Sequence, residues 1–150
     1  PGAHRTLIFR QPTERIPQPM DPSTDLPAVT VRYIVTDVAQ ALLFYTTHFG
    51  FTVHQDTSPA FAALDRGPMR LLISASTSKG AAPMPDGRKQ EPGGWSRFQI
   101  HVTDLVAEVE RLRAAGLDFR SEIAEGKGGA QILLDDPSGN VIELFQPVAH

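Results

Sequence analysis

The sequence predicts an α+β domain built from two tandem βαβββ modules, and three observations support this prediction. An alternating strand pattern is followed by a capped amphipathic helix. This order occurs twice, and Val35-Thr36-Asp37 recurs as Val102-Thr103-Asp104. A segment rich in glycine and proline separates the two occurrences. Because each module alone would leave one face of its sheet uncovered, we expect the two to pack together.

The strand and helix signals of module one follow in a regular order. Apolar and polar residues alternate over residues 29–35, which is typical of a strand that buries one face. Asp37 lies at the position of a helix N-cap, and the helical apolar spacing that follows ends at Gly50. Three further strands are expected over residues 51–56, 60–65 and 69–75.

Module two repeats these signals. Residues 96–102 alternate as a strand, Asp104 is the expected helix cap, and the helical spacing ends at Gly116. A turn over residues 136–140 precedes the final strand, and its Gly139 corresponds to Gly67 of module one.

Prolines and glycines divide the chain into segments. Prolines are concentrated in residues 1–27, where their density is incompatible with a helix or a central strand. We expect an N-terminal arm there, part of it a remnant of processing or cloning. A single domain is expected over 28–147, with module one at 28–75, a connector at 76–94 and module two at 95–147.

Composition excludes several classes of function. The chain has 150 residues and no cysteine, which excludes disulfide scaffolds, thiolate metal sites and cysteine nucleophiles. The net charge is −3 and the basic residues are scattered, so we expect no nucleic-acid partner. No apolar run approaches the ~20 residues that span a bilayer. We therefore expect no membrane partner and a cytoplasmic location.

Several segments together resemble the glyoxalase/bleomycin-resistance/dioxygenase superfamily, also called vicinal oxygen chelate, over residues 28–147. They are Val31-Arg32-Tyr33-Ile34-Val35-Thr36-Asp37-Val38, Phe44-Tyr45, Phe49-Gly50-Phe51, Gly93-Gly94-Trp95 and Asp136-Pro137-Ser138-Gly139-Asn140-Val141-Ile142-Glu143-Leu144. The resemblance implies a curved mixed sheet around a cleft and a homodimer. It does not select one activity, because the family includes both enzymes and antibiotic-binding proteins.

Family enzymes hold a divalent metal with His, Glu or Gln side chains from the first and last strand of each module. Carried over to this chain, and aligning the modules by their turn glycines, those positions are Thr30, Leu71, Arg97 and Glu143. Only Glu143 is a plausible metal ligand, because leucine has no lone pair to offer and arginine is a permanent cation. We therefore predict no metal cofactor, although a divalent metal stays open as a disfavoured alternative.

A charge pair is the predicted replacement for the metal. Strand alternation places Arg97 and Glu143 on the same face, and a carboxylate there needs a cationic or hydrogen-bonding partner. We hypothesise an Arg97–Glu143 pair, joined or not by Arg32, that fixes the cavity or contacts a ligand. The alternative is that Arg97 reaches solvent and Glu143 meets only backbone donors.

Alternation also predicts the other residues of this inner face. They are Thr30, Arg32, Ile34, Met69, Leu71, Ile73, Trp95, Arg97, Gln99, His101, Val141, Glu143 and Phe145. The ligand-binding candidates among them are Thr30, Arg32, Trp95, Arg97, Gln99, His101, Glu143 and Phe145. No catalytic residue is assigned, because a hydrogen-bonded structural role is favoured for His101 over acid–base catalysis. Of the inner-face residues, Ile34, Leu71 and Ile73 are expected to fill the interior or a dimer interface rather than to contact a ligand, and Tyr33 and Tyr45 are expected in the core.

Three functions remain open. The first is a metal-independent protein that binds a small molecule, such as an antibiotic that it sequesters or a metabolite. The second is a lyase, isomerase or dioxygenase with an atypical or partner-supplied metal site. The third is an interaction module with a filled cavity, which predicts no saturable binding of small ligands.

Overall fold

Two helices and eight strands form the fold in a computed structural model that describes residues 29–149. The elements are β1 (Val29–Ile34), α1 (Val38–His48), β2 (Thr52–Thr57), β3 (Phe61–Arg66), β4 (Met69–Ser74), a 3₁₀ turn (Lys79–Ala81), β5 (Arg97–His101), α2 (Leu105–Ala114), β6 (Ala124–Gly126), β7 (Gly129–Asp135) and β8 (Val141–Pro147). The predicted α+β class and the two βαβββ modules are confirmed. The predicted arm, residues 1–27, lies outside the described residues.

Each module forms its own four-stranded sheet, with the order β1-β4-β3-β2 in the first and β5-β8-β7-β6 in the second. The first strand of each module runs parallel to the last strand, and the remaining neighbours are antiparallel. The parallel pair requires a long connection, which the helix and the two middle strands of each module supply. In these strand orders, β1 and β5 each lie at the edge of a sheet.

Both helices begin at the predicted caps. The carboxylates of Asp37 and Asp104 each accept a hydrogen bond from the backbone N–H three residues later, at 2.9 and 3.0 Å. This bond satisfies one of the free amides of the first helical turn. Gly50 and Gly116 follow the two helices with φ of 69° and 86°, a left-handed conformation that glycine adopts without steric cost.

The two modules share one hydrophobic core that lies between their sheets and helices. Tyr33 of β1 stacks on Phe98 of β5 with 5.3 Å between ring centroids, and Tyr45 of α1 lies 6.4 Å from the same ring. The fully buried aliphatic side chains of the core include Leu64, Leu71, Ile73, Leu112, Ile132, Leu134 and Ile142. Each sheet therefore has a core face, which carries these residues, and an opposite face that we call the open face.

Asp136 is a buried carboxylate that connects module two to α1 of module one. It is 4% exposed. It accepts hydrogen bonds from the Tyr45 hydroxyl at 2.7 Å, from the backbone N–H groups of Ser138 and Asn140 at 2.9 Å each, and from Asn140 Nδ2 at 3.2 Å. Because buried charge is costly unless it is hydrogen-bonded, these four bonds are what makes the carboxylate tolerable in this position.

Two neighbouring residues extend this connection. Asn140 Nδ2 also donates to the carbonyl of Ile34 at 2.8 Å, and Asn140 Oδ1 accepts from the backbone N–H of Gly93 at 2.9 Å. The Tyr33 hydroxyl donates to the carbonyl of Val141 at 2.6 Å. The turn before β8 thus holds β1, the connector and module two together.

Tyr33 and Tyr45 are the only tyrosines in the chain, and both are buried as predicted. Burial raises the pKa of Tyr33 from 10.0 to about 12. Burial and the Asp136 carboxylate also raise the pKa of Tyr45. A pKa that is higher in the folded state stabilises the protein fully below pH 10, and this stabilisation is lost as the pH rises from 10 towards 12.

We therefore expect tyrosinate absorbance in an alkaline titration to appear together with loss of the circular dichroism signal, in one cooperative step above pH 10. The measurement follows near-ultraviolet absorbance and circular dichroism on the same samples. Tyrosines that titrate freely near pH 10 in a protein with native circular dichroism would contradict this expectation.

Candidate functional site

Four polar side chains form a continuous hydrogen-bonded network on the open face of the second sheet. Arg97 Nε donates to Glu143 Oε2 at 2.7 Å, and Gln99 Nε2 donates to Glu143 Oε1 at 2.7 Å. His101 Nε2 lies 2.8 Å from Gln99 Oε1. We call these four residues the β5–β8 network, and it contains the predicted Arg97–Glu143 pair.

The register of two strands creates this network. Gln99 of β5 pairs with Glu143 of β8, and His101 pairs with Phe145. Because successive side chains of a strand alternate between faces, Arg97, Gln99 and His101 share the open face while the residues between them enter the core.

Glu143 is the buried centre of the network. Its side chain is 8% exposed, whereas that of Arg97 is 29% exposed. Both carboxylate oxygens are engaged, one by a cation and one by an amide. A charge-assisted pair of this kind offsets the cost of desolvating the carboxylate, and its geometry fixes both partners. Arg97 Nη1 also donates to the carbonyl of Trp95 at 3.2 Å, which orients the guanidinium further.

Trp95 presents an exposed aromatic surface next to the network. Its side chain is 68% exposed, and the guanidinium of Arg120 lies 4.7 Å from the centroid of its ring. Arg120 is held in place by Asp135 at 2.7 Å and by the carbonyls of Gly94 and Gly139 at 2.9 and 3.2 Å. One face of the indole is therefore covered by a fixed cation, which is a favourable cation–π arrangement.

Sequence reasoning did not identify Arg120 as a residue of this region. It is 25 positions from Trp95 and 15 from Asp135, counted along the printed sequence. It lies in the irregular segment between α2 and β6, where no periodic pattern predicts the direction of a side chain.

At the other end of the network, His101 lies against Phe145 with 5.4 Å between ring centroids. His101 is exposed and Phe145 is half-buried. The remaining histidines of the described chain, His48 and His54, belong to α1 and β2 and lie outside the network. The sequence predicted that His101 alone has the parity of the inner face, and the structure places it there.

The module-one candidates occupy a different sheet. Thr30, Arg32 and Ile34 lie on β1, which pairs with β4 and not with β5. Arg32 Nη1 donates to Ser74 Oγ at 2.6 Å, so the suggestion that Arg32 joins the Arg97–Glu143 pair is wrong within this chain. The guanidinium lies over Gly80 of the connector, where even a Cβ atom would clash with it.

Three residues predicted on the inner face belong to the core face. Leu71 and Ile73 are fully buried in the core, and Met69 packs against it. The prediction aligned the turn glycines of the two modules and assumed an equal distance from turn to strand. The register shows that Arg32 pairs with Leu72, as Gln99 pairs with Glu143, so the counterpart of Glu143 is Leu72. A register error of one residue exchanges the two faces of a strand.

The residues at the family's metal positions do not fit a divalent ion. With Leu72 in place of Leu71, the four positions hold Thr30, Leu72, Arg97 and Glu143, which supply one carboxylate and one hydroxyl oxygen. The single carboxylate is bonded to a guanidinium at 2.7 Å, and a cation at that distance opposes metal binding electrostatically. Among residues 29–149, no three His, Asp or Glu side chains are grouped closely enough to hold a metal.

Two clefts of the described chain border the network and its neighbour Arg120, and the second of them reaches His101. A cleft of about 600 Å³ is lined by Arg113 at the end of α2 and by residues 116–122 that follow, among them Arg120. A second cleft of about 390 Å³ lies between the end of α1, α2 and the end of β5, with His48, Arg66, Arg111 and His101 at its border. The polar side chains that could orient a ligand lie on the open sheet face, and His101 connects that face to the second cleft. A second surface would be needed to enclose a ligand there.

Comparison with known proteins gives one family and several relatives. Residues 28–144 match the Glyoxalase/Bleomycin resistance protein/Dioxygenase superfamily. A lactoylglutathione lyase of Pseudomonas putida is 30% identical over 57 residues, which cover 38% of this chain and 33% of that protein. The match thus spans about a third of that relative's length.

Solved structures resemble the whole fold at low sequence identity. A lactoylglutathione lyase from Agrobacterium tumefaciens has a TM-score of 0.64 and 17% identity, over 85% of this chain and 96% of that one. TnmS3, an antibiotic binding protein from a Streptomyces species, has a TM-score of 0.64 and 21% identity, over 86% of this chain and 100% of that one. At these identities the likeness shows the fold alone.

No helix of residues 29–149 has the length and hydropathy needed to cross a membrane.

Proposed function

Because the chain belongs to the glyoxalase/bleomycin resistance protein/dioxygenase superfamily, we propose that it is a metal-independent protein that binds a small molecule on the open face of β5 and β8. The observation that carries this proposal is the Arg97–Glu143 pair at 2.7 Å, which places an ordered guanidinium at a family metal position. The fold that the chain shares with an antibiotic-binding protein also supports it.

The open face offers two kinds of contact to a ligand. The indole of Trp95 has one ring face against Arg120, so the other is available to stack on a flat aromatic group. Arg97 uses Nε and Nη1 for Glu143 and the Trp95 carbonyl, and its Nη2 can donate to a carboxylate or carbonyl oxygen. The ligand we propose is therefore a flat aromatic molecule with an anionic or carbonyl group, either an antibiotic that the protein sequesters or a metabolite.

Trp95 is the only tryptophan in the chain, so its fluorescence reports on this surface alone. We expect saturable quenching when bleomycin or a planar aromatic carboxylate is titrated into the protein. We expect Trp95→Leu to weaken binding of the effective probe about tenfold in calorimetry, because a lost stacking pair costs on the order of 1 kcal/mol.

The matched control is Leu43→Ala, which removes a side chain of similar exposure, 65%, from α1. Binding to this variant should equal that of the wild type. If no probe gives saturable quenching or a thermal shift, the proposal fails and an interaction module with a filled face is the better description.

The alternative is a lyase, isomerase or dioxygenase that uses an atypical metal site. The similarity to the Pseudomonas putida lyase favours it, as does the presence of Glu143 at a family metal position. Elemental analysis of the purified protein separates the two functions, because the enzyme requires a stoichiometric metal and the binding protein does not.

We extend the proposal to a homodimer that acts in the cytoplasm. The open faces of both sheets carry half-buried apolar side chains, among them Ile34, Leu72 and Phe145, which a second copy would cover. The same contact would enclose a ligand on the β5–β8 network. Analytical ultracentrifugation should show a dimer, and a monomer at all concentrations would contradict this part of the proposal.

A further inference from the structure

Along the β5–β8 network, each hydrogen bond determines which atom of the next side chain must donate and which must accept. An ionised carboxylate such as Glu143 can only accept hydrogen bonds, so the Gln99 amide must turn its Nε2 towards it. The Oε1 of Gln99 then faces His101 at 2.8 Å, and a carbonyl oxygen also only accepts. His101 must therefore carry a proton on Nε2.

This order leaves the other ring nitrogen of His101 as an acceptor. In a neutral imidazole with a proton on Nε2, Nδ1 holds a lone pair. Among residues 29–149, Nδ1 of His101 has no hydrogen-bond partner, and the side chain is exposed on the open face. The Phe145 ring at 5.4 Å limits the orientations available to the imidazole.

We propose that His101 is a recognition residue that accepts a hydrogen bond from an O–H or N–H group of the ligand. The inference rests on the proposed function and deepens it, because it assigns opposite polarities to the two ends of the site. Arg97 donates at one end, and His101 accepts at the other. The Arg97 guanidinium reaches Glu143, which lies opposite Gln99, so the two ends are about 7 Å apart, or two residues along a strand.

The ligand class that fits both ends is a flat aromatic molecule with a carboxylate or carbonyl group and, across the ring system, a hydroxyl or N–H donor. The spacing of about 7 Å corresponds to opposite ends of a two-ring system. If a molecule has only acceptor groups, one of its lone pairs would face the lone pair of Nδ1 with no hydrogen between them, which is an unfavourable contact.

The first arm of the test needs no ligand. Nitrogen NMR of the imidazole, assigned with a His101→Gln variant, should show the Nε2–H tautomer at a pH where the ring is neutral. In the double variant Arg97→Glu/Glu143→Arg the charge pair is retained but residue 143 becomes a donor, so the Gln99 amide should reverse. The tautomer of His101 should then change to Nδ1–H.

A milder variant guards against a folding defect in the double exchange. Gln99→Leu interrupts the network while keeping the strand, so His101 should lose its fixed tautomer and show the mixture of a free imidazole. Circular dichroism confirms that each variant is folded. If the tautomer is the same in the wild type and in both folded variants, the network does not control His101 and the inference is wrong.

The second arm uses a hydroxynaphthoate and its methoxynaphthoate counterpart, which differ only in the donor. Calorimetry should give about tenfold tighter binding of the hydroxyl compound to the wild type, and nearly equal binding of both to Gln99→Leu. Equal binding of both probes to the wild type would contradict the role of His101 and leave the proposed function standing. Binding of neither would contradict the proposed function, while the NMR arm still reports on the network.

Discussion

Replacement of Asp136 by alanine is expected to lower the free energy of unfolding by about 3–5 kcal/mol. The substitution removes four hydrogen bonds from a residue that is 4% exposed. The Tyr45 hydroxyl and the backbone N–H of Asn140 then stay buried without an acceptor, and each costs about 1–3 kcal/mol. The same contacts join the two modules, so the whole domain should lose stability in one transition.

Urea unfolding followed by circular dichroism measures this loss. Asp118→Ala is the matched control, because Asp118 is an exposed acidic residue in the same module and its loss should change stability by less than about 0.5 kcal/mol. Tyr45→Phe removes only one of the four bonds and should cost less than Asp136→Ala, about 1.5–3 kcal/mol. An Asp136→Ala protein as stable as the Asp118→Ala protein would show that the turn does not hold the modules together.

Replacement of Arg97 by alanine is expected to affect both ligand binding and stability. Affinity for a planar aromatic carboxylate should fall by more than tenfold, because a charge-assisted hydrogen bond of about 1.5–3 kcal/mol is lost. Stability should fall by about 2 kcal/mol, because Glu143 keeps only the Gln99 amide as a partner and its side chain is 8% exposed. The partial exposure of Arg97 places this cost below that of a fully buried pair.

A double variant separates the two effects. Arg97→Ala/Glu143→Ala removes the unpaired carboxylate as well, so it should regain stability relative to Arg97→Ala but not regain affinity. Arg88→Ala is the control, because Arg88 forms an exposed ion pair with Asp86 in the connector and does not touch the network. Recovery of affinity in the double variant would mean that Arg97 acts only by neutralising Glu143.

The fold could be predicted from the sequence because its signals are local. The cap residues Asp37 and Asp104, the glycines that end each helix and the alternating strands all lie within a few residues of the element they specify. The repeat then supplied the relation between the modules. The strand boundaries expected in module one differ from the observed ones by one residue.

The candidate site was predictable only where one strand carried it. Arg97, Gln99 and His101 alternate on β5, and Glu143 follows from the order of the repeat. In module one the same approach placed Leu71 on the wrong face. The true counterpart of Glu143 is Leu72, whose distance from the turn glycine is one residue longer than that of Glu143 in module two, and no sequence signal reveals the difference.

Contacts between distant segments were not predictable. Arg120 reaches Trp95 from an irregular segment, and Asp136 meets Tyr45 across 91 residues. Neither contact has a periodic pattern, because each depends on how the two modules pack. The turn that contains Asp136 was recognised as a turn, whereas its buried carboxylate became evident only in the folded chain.

The central claim is that the open face binds a small molecule without a metal, and metal content tests it most directly. The measurement is native mass spectrometry with elemental analysis, on wild-type protein and Glu143→Ala purified from cells grown with Ni, Zn, Fe and Mn. We predict no stoichiometric metal in either protein and a planar aromatic probe that binds the wild type equally well after treatment with a chelator. One metal ion per chain in the wild type, lost in Glu143→Ala together with probe binding, would contradict the claim.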